Sequence, residues 1–207
     1  MIDVTLLSLF IPTFFLVSIT PGMCMTLAMT LGMSVGIRKT LWMMYGELLG
    51  VAIVAIAAVI GVSAIMLKYP QLFNVLKFIG AGYLLYVGVS MWQSKGKLAL
   101  SAVSEKTANV VNKQLFIQGF VTAIANPKGW AFMISLLPPF INTELDLAPQ
   151  LTILIAVILL SEFSCMMIYA TGGKTIAKLL TQANNVKILN KISGVLMMLV
   201  ALWLALS

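Results

Sequence analysis

Two long apolar stretches of this chain are each interrupted near the middle by a proline. Thr20-Pro21-Gly22 falls inside residues 5–33, and Asn126-Pro127-Lys128 falls inside residues 115–141. Proline removes a backbone donor and blocks the helical ladder, and hydrocarbon offers nothing to replace the lost bond. A helix broken at membrane depth must therefore face protein or a water-filled cavity. In secondary transporters such breaks form the substrate site.

Composition supports that setting. The 207 residues are 61% hydrophobic and 9% charged, whereas a soluble domain carries about 25% charged residues. With a mean hydropathy of +1.06, the expectation is an all-α integral membrane protein with little room for a soluble domain. A spanning helix needs about 20 apolar residues. Six segments qualify, at 5–33, 41–67, 70–93, 115–141, 148–172 and 186–206. The N-terminus, Met1-Ile2-Asp3-Val4-Thr5, lacks the basic region of a secretory signal, so the first segment is expected to be retained as a span.

Six spans divide the basic residues unequally. Arg38, Lys39, Lys95, Lys97, Lys106, Lys113, Lys174, Lys178, Lys187 and Lys191 fall on one side, against Lys68 and Lys77 with Glu144 and Asp146 on the other. The positive-inside rule makes the first side cytoplasmic and puts both termini outside. The basic excess is then a topology signal that also meets anionic lipid headgroups, and it calls for no nucleic acid.

The two halves echo each other. Phe10-Ile11 and Phe14 precede Pro21 with the spacing by which Phe116-Ile117 and Phe120 precede Pro127. Glu47 precedes Gly80 by nearly the separation of Glu162 from Gly194. The expected organisation is a three-helix repeat over 1–93, a cytoplasmic loop over 94–114 and a second repeat over 115–207. Each repeat opens with a broken helix. Three spans per half make the repeats inverted, a plan shared by many secondary transporters.

Glu47, Lys128 and Glu162 are the ionisable groups left inside the spans. Burying such a charge costs roughly 3 kcal/mol on insertion scales, so it needs a partner, water or a function. On the functional reading Glu162 and Glu47 exchange protons and Lys128 holds a substrate carboxylate. On the structural reading Lys128 pairs with Glu162 or snorkels to an interface, and Glu47 sits near a helix end. Asn126 is suited to cap the second half-helix, whose N-terminus also attracts an anion.

Other features carry less. Cys24 and Cys165 form no CxxC or metal-spacing pattern, although a membrane thiol oxidoreductase or electron-carrier partner using them is an alternative function. Met25, Met29 and Met33 recur on one helix face beside Cys24, and Met166-Met167 follow Cys165. Such soft sulfur ligands suit a copper exporter, but methionine also fills cores. With no histidine, zinc, nickel and cobalt are disfavoured, and no metal site or cofactor is expected. Gly172-Gly173-Lys174-Thr175 imitates the end of a phosphate loop without its first glycine. Gly32-x-x-x-Gly36 and Gly46-x-x-x-Gly50 are expected to allow close helix packing.

Several blocks together resemble the LysE/RhtB group of amino-acid exporters. They are Thr20-Pro21-Gly22, Gly36-Ile37-Arg38-Lys39-Thr40, Gly46-Glu47-Leu48-Leu49-Gly50-Val51 and Leu76-Lys77-Phe78-Ile79-Gly80-Ala81-Gly82-Tyr83-Leu84. The most specific is Gly119-Phe120-Val121-Thr122 leading to Asn126-Pro127-Lys128, then Phe132 and Leu136-Leu137-Pro138-Pro139-Phe140. That family commonly continues its first break as Pro-Gly-Pro-Asn, where this chain has Met23 and Cys24. The resemblance implies six spans in a bacterial cytoplasmic membrane and proton-driven export of amino acids or related small metabolites, with no enzymatic activity. Joined to the residues, it suggests substrate binding at Pro21, Gly22, Asn126, Pro127 and Lys128 and proton coupling at Glu162 and Glu47. The partners are then substrate, protons and lipid, and a homo-oligomer is compatible with such a bundle.

Overall fold

The computed structural model describes residues 4–68, 70–93, 111–142, 145–173, 175, 176, 178 and 183–206. Its α-helices are α1 (Val4–Ile19), α2 (Met23–Ser34), α3 (Ile37–Lys68), α4 (Pro70–Trp92), α5 (Asn112–Ile124), α6 (Pro127–Leu136), α7 (Leu147–Thr171) and α8 (Ala183–Leu206). A 3-10 turn, Pro138–Phe140, follows α6. Most of the expected loop over 94–114 lies outside the described residues, and α5 begins ahead of the expected 115. Likewise Arg38 and Lys39 belong to the first turn of α3 instead of a connecting turn. Helices outrun their apolar segments because backbone hydrogen bonding persists where hydropathy falls.

Both proline-bearing stretches are broken. Helices α1 and α2 meet at 58°, and α5 gives way to α6 across Ala125 and Asn126. Proline alone does not dictate a break, since Pro12 lies within continuous α1. At residue 21 the proline is followed by glycine, a second poor helix former. Among the described residues, Ile37–Gly61 and Leu147–Thr171 are long and apolar enough to cross a membrane, and bent α1–α2 makes a third such unit. Ile56, Ile60, Phe78, Ile79, Leu160, Leu199 and Leu202 point outward. An apolar exterior of this size marks contact with lipid or protein.

Glycines set the tightest helix contacts. A Cβ at Gly46 would overlap the Phe116 carbonyl, one at Gly119 would overlap that of Met43, and one at Gly50 would sit 2.7 Å from the Ala123 Cβ. These contacts advance together along α3 and α5, so the two helices run parallel with backbones touching. Gly88 and Gly194 do the same for α4 and α8, which run antiparallel. In lipid this close van der Waals fit replaces the hydrophobic drive to associate. Gly32 packs against the backbone of Ala170 in α7. Gly36 departs from the expected packing role: nothing lies near its Cβ position, and its φ of +80° makes the left-handed turn between α2 and α3.

Apolar clusters fill the remainder. Phe10 and Phe14 stack within α1, and Phe10 meets Phe140 edge to face. Met25 and Met29 are buried in the core shared by α2, α3 and α7, whereas Met33 is exposed. The methionine stripe is therefore largely core packing. Fully buried Gln150 clamps the turn before α7, accepting from the Asn142 N–H and donating to the carbonyls of Asn142, Leu145 and Asp146.

Gly46→Ala and Gly119→Ala are expected to lower the midpoint of thermal aggregation in detergent sharply, since overpacking costs about 1–3 kcal/mol even when neighbours yield. Gly61→Ala and Gly82→Ala, which enter open space, should leave it unchanged. Equal effects at all four positions would refute the close-packed α3–α5 seam.

Candidate functional site

The first break is held from outside by α7. Tyr169 donates its hydroxyl to the carbonyl of Ile19 at 2.9 Å, and Ser18 donates to Glu162 Oε1 at 2.8 Å. Gly22 then caps α2 with extended backbone and no side-chain hydrogen bond. The backbone N–H groups of Met23, Cys24 and Met25 have no acceptor among the described residues. Three free donors at the positive end of a helix form an anion seat.

The second break is closed differently. Asn126 caps α6, its Oδ1 accepting from the Lys128 N–H at 3.1 Å. Pro127, at the first helical position, has no N–H to satisfy. Trp130 reaches back to donate its indole N–H to the carbonyl of Ile124 at 2.9 Å, ending α5. Of the first-turn donors only the Gly129 N–H stays free. The anion-seeking end is thus α2 more than α6.

Between the breaks lies a cavity of about 60 Å³, lined by Phe14, Val17, Ser18, Thr20, Gly22, Met23, Cys24, Met25, Glu47, Val51, Val54, Ala123, Asn126, Lys128, Gly129, Phe132, Met133 and Glu162. This is room for on the order of four waters. Glu47 is 1% exposed, and among the described residues its Oε2 has no hydrogen-bond partner. The Cys24 thiol lies beside the Glu47 carboxyl and 3.9 Å from the Asn126 amide nitrogen. Lys128 Nζ stands 5.5 Å over the Phe132 ring and 4.0 Å from where a Gly22 side chain would begin. Lys128 and Glu162 face the cavity without forming an ion pair.

Five of the seven residues expected to bind substrate or protons therefore share one cavity: Gly22, Asn126, Lys128, Glu47 and Glu162. Pro21 and Pro127 do not line it. They shape the breaks that open it. Three positioning residues were not anticipated: Ser18, Trp130 and Tyr169. A hydroxyl two residues before Thr20-Pro21 in an apolar stretch was the available signal for Ser18. Nothing local marked Trp130 or Tyr169, whose partners are set by the fold. Cys24 and Cys165 are both free thiols, and among the described residues no cluster of three histidine, cysteine or acidic groups could hold a metal. A roomier groove of about 280 Å³ between α1 and α8 is lined by apolar residues and Thr13, so it offers an amino acid no counter-charge.

The model of the LysE type translocators matches residues 15–207. The chain belongs to this family. This LysE type translocator is accordingly a membrane transporter and not an enzyme, which sets aside the thiol oxidoreductase alternative. It is 28% identical over 190 residues to the homoserine/homoserine lactone efflux protein of Salmonella typhimurium, covering 92% of this chain and 91% of that protein. It is 25% identical to an uncharacterized membrane protein of Vibrio cholerae over 181 residues, 87% of each chain. The leucine efflux protein of Enterobacter sp. is 27% identical over 133 residues, 63% of this chain and 61% of that one. No solved structure matches the translocator.

Removing the α6 cap has a defined cost. Asn126→Ala should lower stability by about 1 kcal/mol, whereas Asn126→Ser, also a good cap, should keep most of it. Chemical unfolding in mild detergent, followed by tryptophan fluorescence, distinguishes them. Equal loss would mean that Asn126 does not act as a cap.

Proposed function

We propose that this translocator exports amino acids or closely related small metabolites across the bacterial cytoplasmic membrane in exchange for protons. The observation that carries the reading is the single cavity where two broken helices, one lysine and two glutamates converge. Broken helices, buried charge and a site between structural halves are the parts of an alternating-access carrier. The named substrates of the relatives, homoserine, its lactone and leucine, add that the cargo is small and carries an amine.

The substrate carboxylate sits between the free N–H groups of α2 and Lys128, beside Gly22. Glu162, held by Ser18, takes and releases the proton. A cavity that holds only a few waters is a closed form, and α2 and α6 part to admit cargo. Six spans in two inverted repeats, with both termini outside, fit this scheme. Parallel α3 and α5 and antiparallel α4 and α8 support it, because they bring Arg38 and Lys39, Lys113, and Lys187 and Lys191 toward one end of the bundle.

The test is uptake of labelled amino acids into inverted membrane vesicles, screened across side-chain classes. An interior-acid gradient is expected to drive accumulation that saturates with substrate. Glu162→Gln should abolish gradient-driven uptake but retain substrate-for-substrate exchange, which needs no net proton movement. Equal loss of both would give Glu162 a structural or substrate-binding role instead.

Lys128 is tested separately through its charge-assisted hydrogen bond, worth roughly 1.5–3 kcal/mol. Lys128→Ala should weaken amino acids about tenfold or more while sparing their esters and lactones, which lack the carboxylate. An unchanged ratio at normal expression would remove Lys128 from the binding site.

A further inference from the structure

Two carboxyls face a single ammonium across the cavity. The titratable groups facing it are Cys24 from α2, Glu47 from α3, Lys128 from α6 and Glu162 from α7, while α1 and α5 contribute Ser18 and Ala123 among neutral residues. Lys128 supplies charge enough for one carboxylate, although it forms an ion pair with neither. Glu162 also has the Ser18 hydroxyl, whereas Glu47 has only the nearby Cys24 thiol, a weak donor, and among the described residues its Oε2 is unpartnered at 1% exposure. A buried carboxylate with an open oxygen needs a cation or a proton on that oxygen.

Resting on the exporter reading, we infer that Glu47 Oε2 is the seat of the substrate's ammonium group, and that ammonium and proton compete for it. The two ends of an amino acid then find opposite poles across one cavity. Carboxylate goes to Lys128 and the N-terminus of α2, and ammonium goes to α3 at Glu47. The exchange balances. When the cavity opens to the cytoplasm, arriving ammonium displaces the Glu47 proton into water on that side. When it opens outward, the leaving ammonium is replaced by a proton from outside. One positive charge occupies Glu47 throughout, beside the proton that Glu162 takes and releases, so the substrate's ammonium and the Glu47 proton exchange at one oxygen.

The experiment is thermal stability of detergent-purified protein with and without small probes. L-leucinamide and L-homoserine lactone carry the ammonium without a carboxylate, N-acetyl-L-leucine carries the carboxylate without the ammonium, and L-leucine and L-homoserine carry both. A probe that binds the native state raises the melting temperature. The amine-bearing probes should stabilise the wild type, and Glu47→Gln should raise the half-maximal concentration of at least one of them roughly tenfold, about 1.4 kcal/mol. N-acetyl-L-leucine should lose nothing on that substitution. Without ligand at alkaline pH, Glu47→Gln should be as stable as wild type or more so, because it removes an uncompensated charge. The inference is overturned if the amine-bearing probes stabilise Glu47→Gln as they do wild type, if none of them stabilises wild type, or if the unliganded variant is markedly weaker. Failure of the exporter reading shows independently, as absent uptake of every amino acid by wild-type vesicles.

Discussion

Backbone hydrogen bonding at membrane depth is the constraint on which the rest of this structure depends. Each break in a helix frees N–H and C=O groups that lipid cannot satisfy, at several kcal/mol apiece. The chain answers with side chains reaching across elements. Tyr169 takes the last carbonyl region of α1, Trp130 closes α5, and Asn126 caps α6. The N-terminus of α2 is the exception. Its N–H groups stay open toward a cavity already containing an ammonium and two carboxyls, where water or an anion replaces the missing acceptors.

That exception makes the two breaks unequal despite their matching prolines. Pro127 is the first helical residue of α6, with its cap ahead of it, whereas Pro21 lies outside α2 and the cap, Gly22, follows it. The repeat that is visible in Phe10, Phe14 and Pro21 against Phe116, Phe120 and Pro127 thus ends in two different caps. Positions that match in sequence need not do equivalent work, and here one break leaves N–H groups free while the other carries the lysine.

The helices were legible in the sequence because a long apolar stretch has few alternatives to a helix, and proline followed by glycine or preceded by asparagine leaves a recognisable end. Glu47, Lys128 and Glu162 were legible for the same reason: each charge is conspicuous in apolar surroundings. Their meeting in one cavity was not, since it depends on the rotation of α3, α6 and α7 about their axes. A span with outward-facing isoleucines on one side and a cavity on the other shows little periodicity, because both faces are apolar. Gly36 misled as a packing residue for a related reason. The spacing Gly32-x-x-x-Gly36 is identical whether the second glycine packs or turns, and only the end of α2 decides.

Met23 and Cys24, which stand where the resemblance leads one to expect proline and asparagine, both line the cavity. A proline after Gly22 would open α2 without an N–H, whereas Met23 supplies one, so the N-terminus of α2 gains a free donor. An asparagine at position 24 would present an amide to its neighbours, whereas Cys24 presents a weak thiol donor to Glu47. The acid is then less satisfied by protein and more dependent on an incoming cation. Both changes leave hydrogen-bonding capacity in the cavity that the protein itself does not satisfy, and on the proposed reading a zwitterion would use it at each end without a charge being added to the membrane interior.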